Sequence, residues 1–440
     1  MRILVTGSSG FIGKHLVEAL CRRPNTEVIA YDLHSAASEL EHGLREADVI
    51  FHLAGVNRPQ SVQEFKAGNA DLTESLCSSL AAIGSQPLFV LSSSIQAALD
   101  NPYGISKREA ELSVERWANR DVPDGGRRTE VGGLRAGSQT QIVESGEHKA
   151  SPSSEIGPSQ PSYRQRRAII FRLKNVFGKW CRPNYNSVTA TFCHNISHDL
   201  PISISDPMHE IELVYIDDVV AAFLSVLDCD EAADLKTTKR QDNVSDQRSA
   251  SGRSPSFDSC CYFEVARSFK VTLGELEAKI RAFRASRASL LLPSFADDFT
   301  RCLYATYLSY MDGCDFAYAL KQESDLRGSL AEFIKQPHLG QLFISRTKPG
   351  ITRGNHYHHT KTEKFLVVEG EAIIRFRHIF EGKIIVHRVS GKEFKVVDIP
   401  PGYAHSIENV GTAELVTLFW ASEIFDPLRP DVHTMTVQPS

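Results

Sequence analysis

The chain has 440 residues, 42% hydrophobic and 23% charged, with 49 Lys and Arg against 54 Asp and Glu for a formal charge of −5. That length suggests two or three domains of ordinary soluble composition, and a mildly acidic chain without basic blocks argues against a dedicated nucleic-acid binder. Nine scattered cysteines, none in a CxxC pair, argue against a disulfide framework and for a reducing compartment. No apolar run reaches the ~18 residues of a membrane span, and the chain opens straight into a strand pattern without a signal peptide. A cytoplasmic protein with no membrane partner is the expectation.

In chain order, residues 3–6, 28–31, 49–53 and 88–92 read as strands, and 11–21, 36–47 and 69–83 as helices. Repeated βα units imply a doubly wound parallel sheet of Rossmann type, covered on both faces. A further helix opens at Tyr103 and runs to about Trp117. Residues 121–167 then lose all apolar periodicity before a strand resumes at 168–171, and 230–259 break the pattern again. Both stretches read as solvated, disordered insertions. A helix follows at 272–287, and residues 291–318 read as an irregular aromatic connector that docks. Beyond about residue 325 come short alternating strands, at 340–348, 364–369, 372–378, 384–389, 393–399 and 414–420, with Gly and Pro turns and no helical period. That is the pattern of a small all-β jelly roll. The expected domains are 1–309 and 310–440.

Thr6-Gly7-Ser8-Ser9-Gly10-Phe11-Ile12-Gly13 lies between the first strand and the first helix. Gly7 permits a tight turn, Gly10 lets the backbone approach a pyrophosphate, and Gly13 allows close helix–strand packing. The helix start at Phe11 and Ile12 supplies free N–H donors. Asp32, about 20 residues on, can hold a ribose 2′-hydroxyl and repel a 2′-phosphate, which leans to NADH over NADPH. Tyr103 and Lys107, four apart, share a helix face, and an ammonium beside a phenol stabilises its phenolate. A serine hydroxyl from the run Ser92-Ser93-Ser94, which ends the preceding strand, can bind a substrate carbonyl beside Tyr103.

Toward the C-terminus His356 and His358, two apart on a strand, face the same side. Glu363 and His405 from neighbouring strands complete a three-nitrogen, one-oxygen set that suits Zn, Fe, Mn or Ni. Any proton transfer there also needs a general base, for which His359, Tyr403 and Lys361 are local candidates.

The order of the glycine motif, His52-Leu53-Ala54-Gly55, the serine cluster, Tyr103…Lys107, Arg172-Leu173-Lys174-Asn175-Val176-Phe177-Gly178 and Tyr215-Ile216-Asp217-Asp218-Val219 resembles the extended short-chain dehydrogenase/reductase family. The resemblance implies NAD(P) binding and nucleotide-sugar substrates. It makes Tyr103 the acid/base, Lys107 its partner and Ser94 the third member. Gly7, Gly10, Phe11, Ile12, Gly13, Asp32, Leu53, Ala54, Gly55 and Lys107 would meet the cofactor, and Asn175 the substrate. The histidine motifs resemble the cupin superfamily, although Phe394 stands where a glycine is expected and Gly391 is nearest. Asp325-Leu326-Arg327-Gly328-Ser329-Leu330-Ala331-Glu332 is similar to the opening strand of deoxysugar 3,5-epimerase-type cupins, in which the Arg and Glu contact a nucleotide sugar.

A reductase fused to a C-terminal cupin, with Ala54-Gly55-Val56-Asn57-Arg58-Pro59, Trp180-Cys181-Arg182-Pro183-Asn184-Tyr185-Asn186-Ser187, Tyr307-Leu308-Ser309-Tyr310 and Lys364-Phe365-Leu366-Val367-Val368, resembles the bacterial capsular polysaccharide enzymes that make UDP-N-acetyl-L-talosamine, on the route to UDP-N-acetyl-L-fucosamine. That resemblance implies a bifunctional enzyme. A zinc cupin would epimerise C3 of a UDP-2-acetamido-2,6-dideoxy-4-hexulose, and the reductase would reduce the C4 ketone with NADPH. Arg182 and Asn184 join Asn175, Arg327 and Glu332 as expected substrate contacts, and a homodimer is expected. The alternatives are a single-activity NAD(P)-dependent reductase or epimerase with a structural or dimerising cupin, and a non-enzymatic nucleotide-sensing scaffold.

Overall fold

A computed structural model describes residues 1–120, 167–228, 238–240 and 259–438, so most of the two expected insertions lies outside the described residues. In chain order the elements begin with β1 (Arg2–Thr6), α1 (Phe11–Cys21), β2 (Glu27–Tyr31), α2 (Ala37–Glu46), β3 (Val49–His52) and α3 (Val62–Phe65). A π-helical turn, Lys66–Asp71, runs into α4 (Leu72–Ile83), followed by β4 (Leu88–Ser94) and α5 (Pro102–Ala118). Then come β5 (Ala168–Leu173), β6 (Asn175–Phe177), α6 (Val188–Ser197), β7 (Glu210–Tyr215), α7 (Ile216–Ser225), β8 (Thr238–Arg240), β9 (Cys260–Val265) and β10 (Phe269–Thr272). Helices α8 (Leu273–Ser289) and α9 (Asp298–Leu308) precede the C-terminal strands. Those are β11 (Gln322–Asp325), β12 (Gly328–Gln336), β13 (Gly340–Thr347), β14 (Thr352–Tyr357), β15 (Glu363–Glu369) and β16 (Glu371–His378). The last are β17 (Ile384–Ser390), β18 (Val396–Ile399), β19 (Tyr403–Asn409), β20 (Leu415–Ala421) and β21 (His433–Thr434).

By contacts the described chain divides into two units, one of Met1–Lys174 with Ile216–Arg267, the other of Asn175–Tyr215 with Ser268–Ser440. The second unit thus includes, besides 310–440, two stretches that the sequence reading grouped with the reductase. The first unit is built on one sheet in the order β2-β1-β3-β4-β5-β9-β8. All its pairs are parallel except β8 against β9. This is the expected Rossmann-type sheet. The strands are apolar on both faces because helices cover both, and Leu4, Ile50, Phe89 and Ile170 are fully buried in one cluster with Trp117 and Leu80. Because β2 and β3 flank β1 on opposite sides, the C-terminal ends of β1 and β3 form the switch point at which such sheets bind ligands.

The second unit holds a small sheet, β10-β7-β6, packed with α6, α8 and α9, and two antiparallel sheets ordered β11-β12-β13-β20-β15-β18 and β17-β16-β19-β14-β21. The two antiparallel sheets make a jelly-roll sandwich of cupin type around Phe365, Ile374, Phe376, Ile407 and Phe419. Burying one such aromatic or branched side chain contributes roughly 1.5–3 kcal/mol, so this core holds the ligand-bearing strands firmly in register.

Three expectations need correction. Residues 298–308 of the supposed irregular connector form α9: Asp297 caps the Thr300 N–H, and Phe299, Leu303 and Tyr307 form a buried stripe four residues apart. Aromatics and threonines hid that stripe, because their intrinsic helix preference is weak and packing supplies the stability. The helix expected at 69–83 starts as the π turn Lys66–Asp71 before α4 begins. Within the second supposed insertion, Thr238–Arg240 pairs antiparallel with β9.

Candidate active site and metal centre

The glycine motif occupies the β1–α1 turn. Gly7 has φ +71°, and a Cβ there would stand 2.6 Å from the Ala54 nitrogen, so only glycine brings the two loops of the switch point together. A Cβ on Gly13 would stand 2.1 Å from the Gly7 carbonyl oxygen. The first helical bond of α1 runs from the Lys14 N–H to the Gly10 carbonyl, and Gly10 provides no side-chain cap. The N–H groups of Phe11, Ile12 and Gly13 therefore lack intrahelical acceptors, an arrangement that fits a pyrophosphate. Asp32 turns onto this loop, its carboxylate accepting the Ser9 N–H at 2.6 Å and the Leu33 N–H at 2.8 Å. Burial works to raise the Asp32 pKa, but those two donors outweigh it and hold the carboxyl below its usual range. Replacing Gly13 with Ala is expected to cost about 1–3 kcal/mol of overpacking, or roughly ten- to hundredfold in reduced-cofactor affinity. Quenching of nicotinamide fluorescence measures it, and unchanged affinity would show that the motif is only a turn.

Behind the loop, a buried polar chain holds β3 and α4 in place. Thr73 donates its hydroxyl to the Asn69 carbonyl at 2.7 Å and so can only accept from His52 Nε2 at 3.0 Å, which leaves Nδ1 to accept from Thr6 at 2.6 Å. Burial, with the Lys107 charge adding to it, pushes His52 down to about 3, so the ring is a neutral strut. Asn69, in the π turn, accepts the Val56 N–H and donates to the Val56 carbonyl and to Ser106, tying the Gly55 loop to α5. A Cβ on Gly55 would meet Asn69 Oδ1 at 2.6 Å and Lys107 Nζ at 3.2 Å.

Asn101 caps α5 and Pro102 occupies its first turn, which aims Tyr103 and Lys107 back toward β4. Of the three serines, Ser94 is the one that acts on the Tyr103 phenol, easing its ionisation. Ser93 donates instead to the buried Glu111 at 2.5 Å, and Ser92 offers its carbonyl to Lys107 Nζ at 3.2 Å. The Lys107 ammonium lies 5.9 Å from the Tyr103 ring centroid. Burial drives Tyr103 up to about 12, with Ser94 opposing, and drives Lys107 down to about 8, with Glu111 opposing. Glu111, one turn beyond Lys107, also takes both guanidinium arms of Arg172 at 3.0 and 2.6 Å. Glu111 and Asn69 were missed from the sequence. A carboxylate one turn past Lys107 was readable, whereas nothing local marks Asn69.

In the second unit His356, His358, Glu363 and His405 converge, with one ligand atom from each lying within 4.8 Å of the others. His358 Nε2 and His405 Nε2 stand 3.4 and 3.5 Å from Glu363 Oε2. Neither nitrogen has a hydrogen-bond partner although both are buried. In a tetrahedral site with bonds of about 2.1 Å the ligand atoms stand roughly 3.4 Å apart. The spacing and the orphaned nitrogens thus fit a divalent metal better than a hydrogen-bonded cluster. Two of the rings donate to a backbone carbonyl, His405 to Tyr403 at 3.3 Å and His358 to Asp431. A carbonyl only accepts, so the opposite nitrogen of each of these two rings keeps its lone pair for a ligand. Burial, reinforced by the other two imidazoles, pushes His356 down to about 4. Glu363 is held well below the carboxylate range: burial opposes this, but His358 and His405 prevail, and Lys361 adds to them from 3.1 Å at the other oxygen.

Two comparisons decide the family. The chain is 39% identical over 437 residues, 99% of each chain, to the UDP-2-acetamido-2,6-β-L-arabino-hexul-4-ose reductase of Pseudomonas aeruginosa. Its structure resembles that of the capsular polysaccharide assembling protein CapF from Staphylococcus aureus, at 37% identity and a TM-score of 0.77 over 99% of this chain and 100% of that one. The chain belongs to this reductase family. Residues 3–123 and 149–237 match the NAD dependent epimerase/dehydratase family, and 323–433 match the polysaccharide biosynthesis C-terminal domain. A shorter relative, the spore coat polysaccharide biosynthesis protein SpsL of Bacillus subtilis, is 25% identical over 26% of this chain and 81% of its own.

The expected substrate contacts stand as follows. Asn175 opens β6, Arg182 lies over the Tyr185 ring at 5.3 Å, and Asn184 takes a left-handed φ of 53°. Arg327 pairs with Asp325 at 2.6 Å in the β11–β12 turn, and Glu332 pairs with Lys335 at 2.6 Å. Of the candidate bases, Lys361 lies 3.1 Å from the ligand Glu363, while the Tyr403 ring meets His378 edge-on at 5.0 Å. His359 sits in a separate aromatic cluster with Tyr357 and His433. Among the described residues no helix is long and apolar enough to cross a membrane.

Proposed function

We propose that the chain is a bifunctional nucleotide-sugar enzyme that epimerises C3 of a UDP-2-acetamido-2,6-dideoxy-4-hexulose and then reduces its C4 ketone to give UDP-N-acetyl-L-talosamine. The observation that carries this reading is one chain bearing both the Ser94–Tyr103–Lys107 set beside a dinucleotide loop and the His356–His358–Glu363–His405 set in a jelly roll. The substrate class is that printed for the Pseudomonas relative.

In the reductase unit the cofactor would lie along Gly7, Gly10, Phe11, Ile12, Gly13, Asp32, Leu53, Ala54 and Gly55. A reduced nicotinamide supplies hydride for the C4 carbon. Ser94 orients the ketone oxygen, Tyr103 gives it a proton, and the charge on Lys107 makes that proton easier to release. Asp32 favours NADH, with neither Leu33 nor His34 able to grip a 2′-phosphate as an Arg would. In the cupin, His356, His358, Glu363 and His405 would hold a divalent metal, of which zinc is the first choice. Such a metal would supply Lewis acidity at the ketone oxygen and so make the neighbouring C3 hydrogen more acidic. Lys361 is the side chain proposed to exchange that proton, with Tyr403 and His359 as the alternatives. Asn175, Arg182, Asn184, Arg327 and Glu332 are proposed substrate contacts, and the functional form a homodimer.

The test is turnover of the UDP-4-keto-6-deoxy-HexNAc substrate in heavy water, with and without reduced cofactor. Deuterium at C3 without cofactor, and an alcohol at C4 only with it, support two activities. No exchange at C3 leaves a single-activity reductase. Because Lys107 loses its charge as pH rises through about 8, kcat/KM for reduction is expected to be level below that pH and to fall above it. Replacing Glu111 with Gln removes the group that supports the charge and moves the fall to lower pH. A pH–rate profile with no shift in that variant would detach Glu111 from the mechanism.

A further inference from the structure

The three imidazoles of the metal set are oriented in two different ways. His405 donates to the Tyr403 carbonyl two residues back on its own strand at 3.3 Å, and His356 sits within β14, paired in register with His405. Their aim is thus built into β14 and β19. His358 follows the last residue of β14, so no strand register fixes its ring. Its Nδ1 donates to the backbone carbonyl of Asp431, 73 residues later in the chain. The same Asp431 extends its carboxylate in the other direction. Oδ1 and Oδ2 accept the His359 N–H at 2.9 and 3.1 Å, and Oδ2 accepts the Thr360 N–H at 2.8 Å and the Lys361 N–H at 2.9 Å. Oδ2 also accepts the Thr360 hydroxyl at 3.0 Å. Successive backbone N–H groups around one carboxylate make a nest, and this one closes over the loop between ligands His358 and Glu363.

Asp431 is itself held by a strap. His433 and Thr434 pair with Tyr357 and His356 along the edge of β14. The Met435 N–H donates to the Asn355 carbonyl at 2.9 Å, the Val437 N–H to the Asn355 side chain at 3.2 Å, and Arg377 to the Thr436 carbonyl at 2.5 Å. Val437 is buried. The segment is therefore a built part of the sandwich. No feature of the reduction or the proton exchange uses it, and no pattern in the sequence singled it out.

We infer that Asp431 is a positioning residue of the metal centre: its carbonyl sets the ring of His358 and its carboxylate sets the loop leading to Glu363, so a C-terminal strap governs how tightly the site holds its ion. This rests on the reading that the four ligands bind a divalent metal. Outer partners of metal ligands are typically worth 10–100-fold in affinity, and Asp431 supports two ligands at once.

The experiment is zinc titration of the full chain against a chromophoric chelator for wild type, Asp431→Ala, Asp431→Asn and Arg429→Ala, with melting curves for each without and with zinc. Wild type is expected to bind. Asp431→Ala should bind 10–100-fold more weakly, and zinc should raise its melting temperature less than it raises that of wild type. Asp431→Asn, which keeps one accepting oxygen, should lose less in the same direction. Arg429→Ala, whose exposed side chain pairs with Asp426, should match wild type. If Asp431→Ala lowers the melting temperature equally with and without zinc and leaves affinity intact, the residue is merely structural and the inference fails. Should Asp431→Ala not fold, wild-type affinity in Asp431→Asn overturns it. If wild type itself binds no zinc, the metal reading fails first, which is a distinguishable result.

Discussion

Replacing Tyr103 with Phe should lower kcat for ketone reduction by about 10²–10⁴-fold, the usual worth of a positioned acid, while leaving cofactor affinity near wild type. The phenol is the group that Ser94 engages, and it lies over the Lys107 charge. Its ring packs against Phe65 at 5.6 Å, a contact the phenylalanine keeps. The fold should survive, and the nucleotide loop around Gly7 and Asp32 should be undisturbed. Burial drives the free phenol up to about 12, so at neutral pH it carries the proton that the C4 oxygen needs. Exchange of the C3 hydrogen with solvent should persist in this variant, because that chemistry belongs to the other unit. The check is paired: alcohol formation by mass, and deuterium content at C3. A variant retaining more than about a tenth of wild-type reduction would fall outside the range expected for a general acid and remove Tyr103 from that role.

Replacing His356 with Ala should do the reverse. One of four converging ligands disappears, and the remaining His358 and His405 nitrogens still face Glu363. Since even outer partners are worth 10–100-fold in metal affinity, loss of a direct ligand should exceed about 100-fold. Zinc should then no longer raise the melting temperature, as expected when a ligand of the native state alone is lost. Deuterium uptake at C3 should cease, while a ketone already inverted at C3 should still be reduced. Persistent uptake in His356→Ala with no bound metal would reject metal-assisted epimerisation and leave a reductase with a structural jelly roll. The two variants together separate the two activities, since each should abolish one signal and spare the other.

Much of this was legible along the chain because it is local. A strand, a glycine turn and a helix start are contiguous, so Gly7, Gly10 and Gly13 announce the nucleotide loop and its uncapped N–H groups. Tyr103 and Lys107 share a helix face by spacing alone, and His356 and His358 share a strand face for the same reason. Residues 11–21 were assigned correctly as helix because their apolar period matches the face that packs. The helix at Asp298–Leu308 was missed because its stability comes from Phe299, Leu303 and Tyr307 burying against α6 and α8, and not from residues that favour helix in isolation.

The choice among the serines shows where local reading ends. Ser92, Ser93 and Ser94 are equivalent as residue types. Only the pairing of β4 and the approach of α5 send Ser94 to Tyr103 and Ser93 to Glu111. Likewise, the residues that tune or brace the two centres come from distant segments: Asn69 from a π turn, Arg172 from β5, and Asp431 from 73 residues beyond the imidazole it orients. The chain alone determined which chemical groups exist and which neighbours share a face, since those follow from backbone periodicity. Only tertiary structure decided which lone pairs are aimed, which charges are buried, and which far segment holds a ring in place. Hydrogen bonds and desolvation act through space over a few ångströms, and sequence distance does not measure that space.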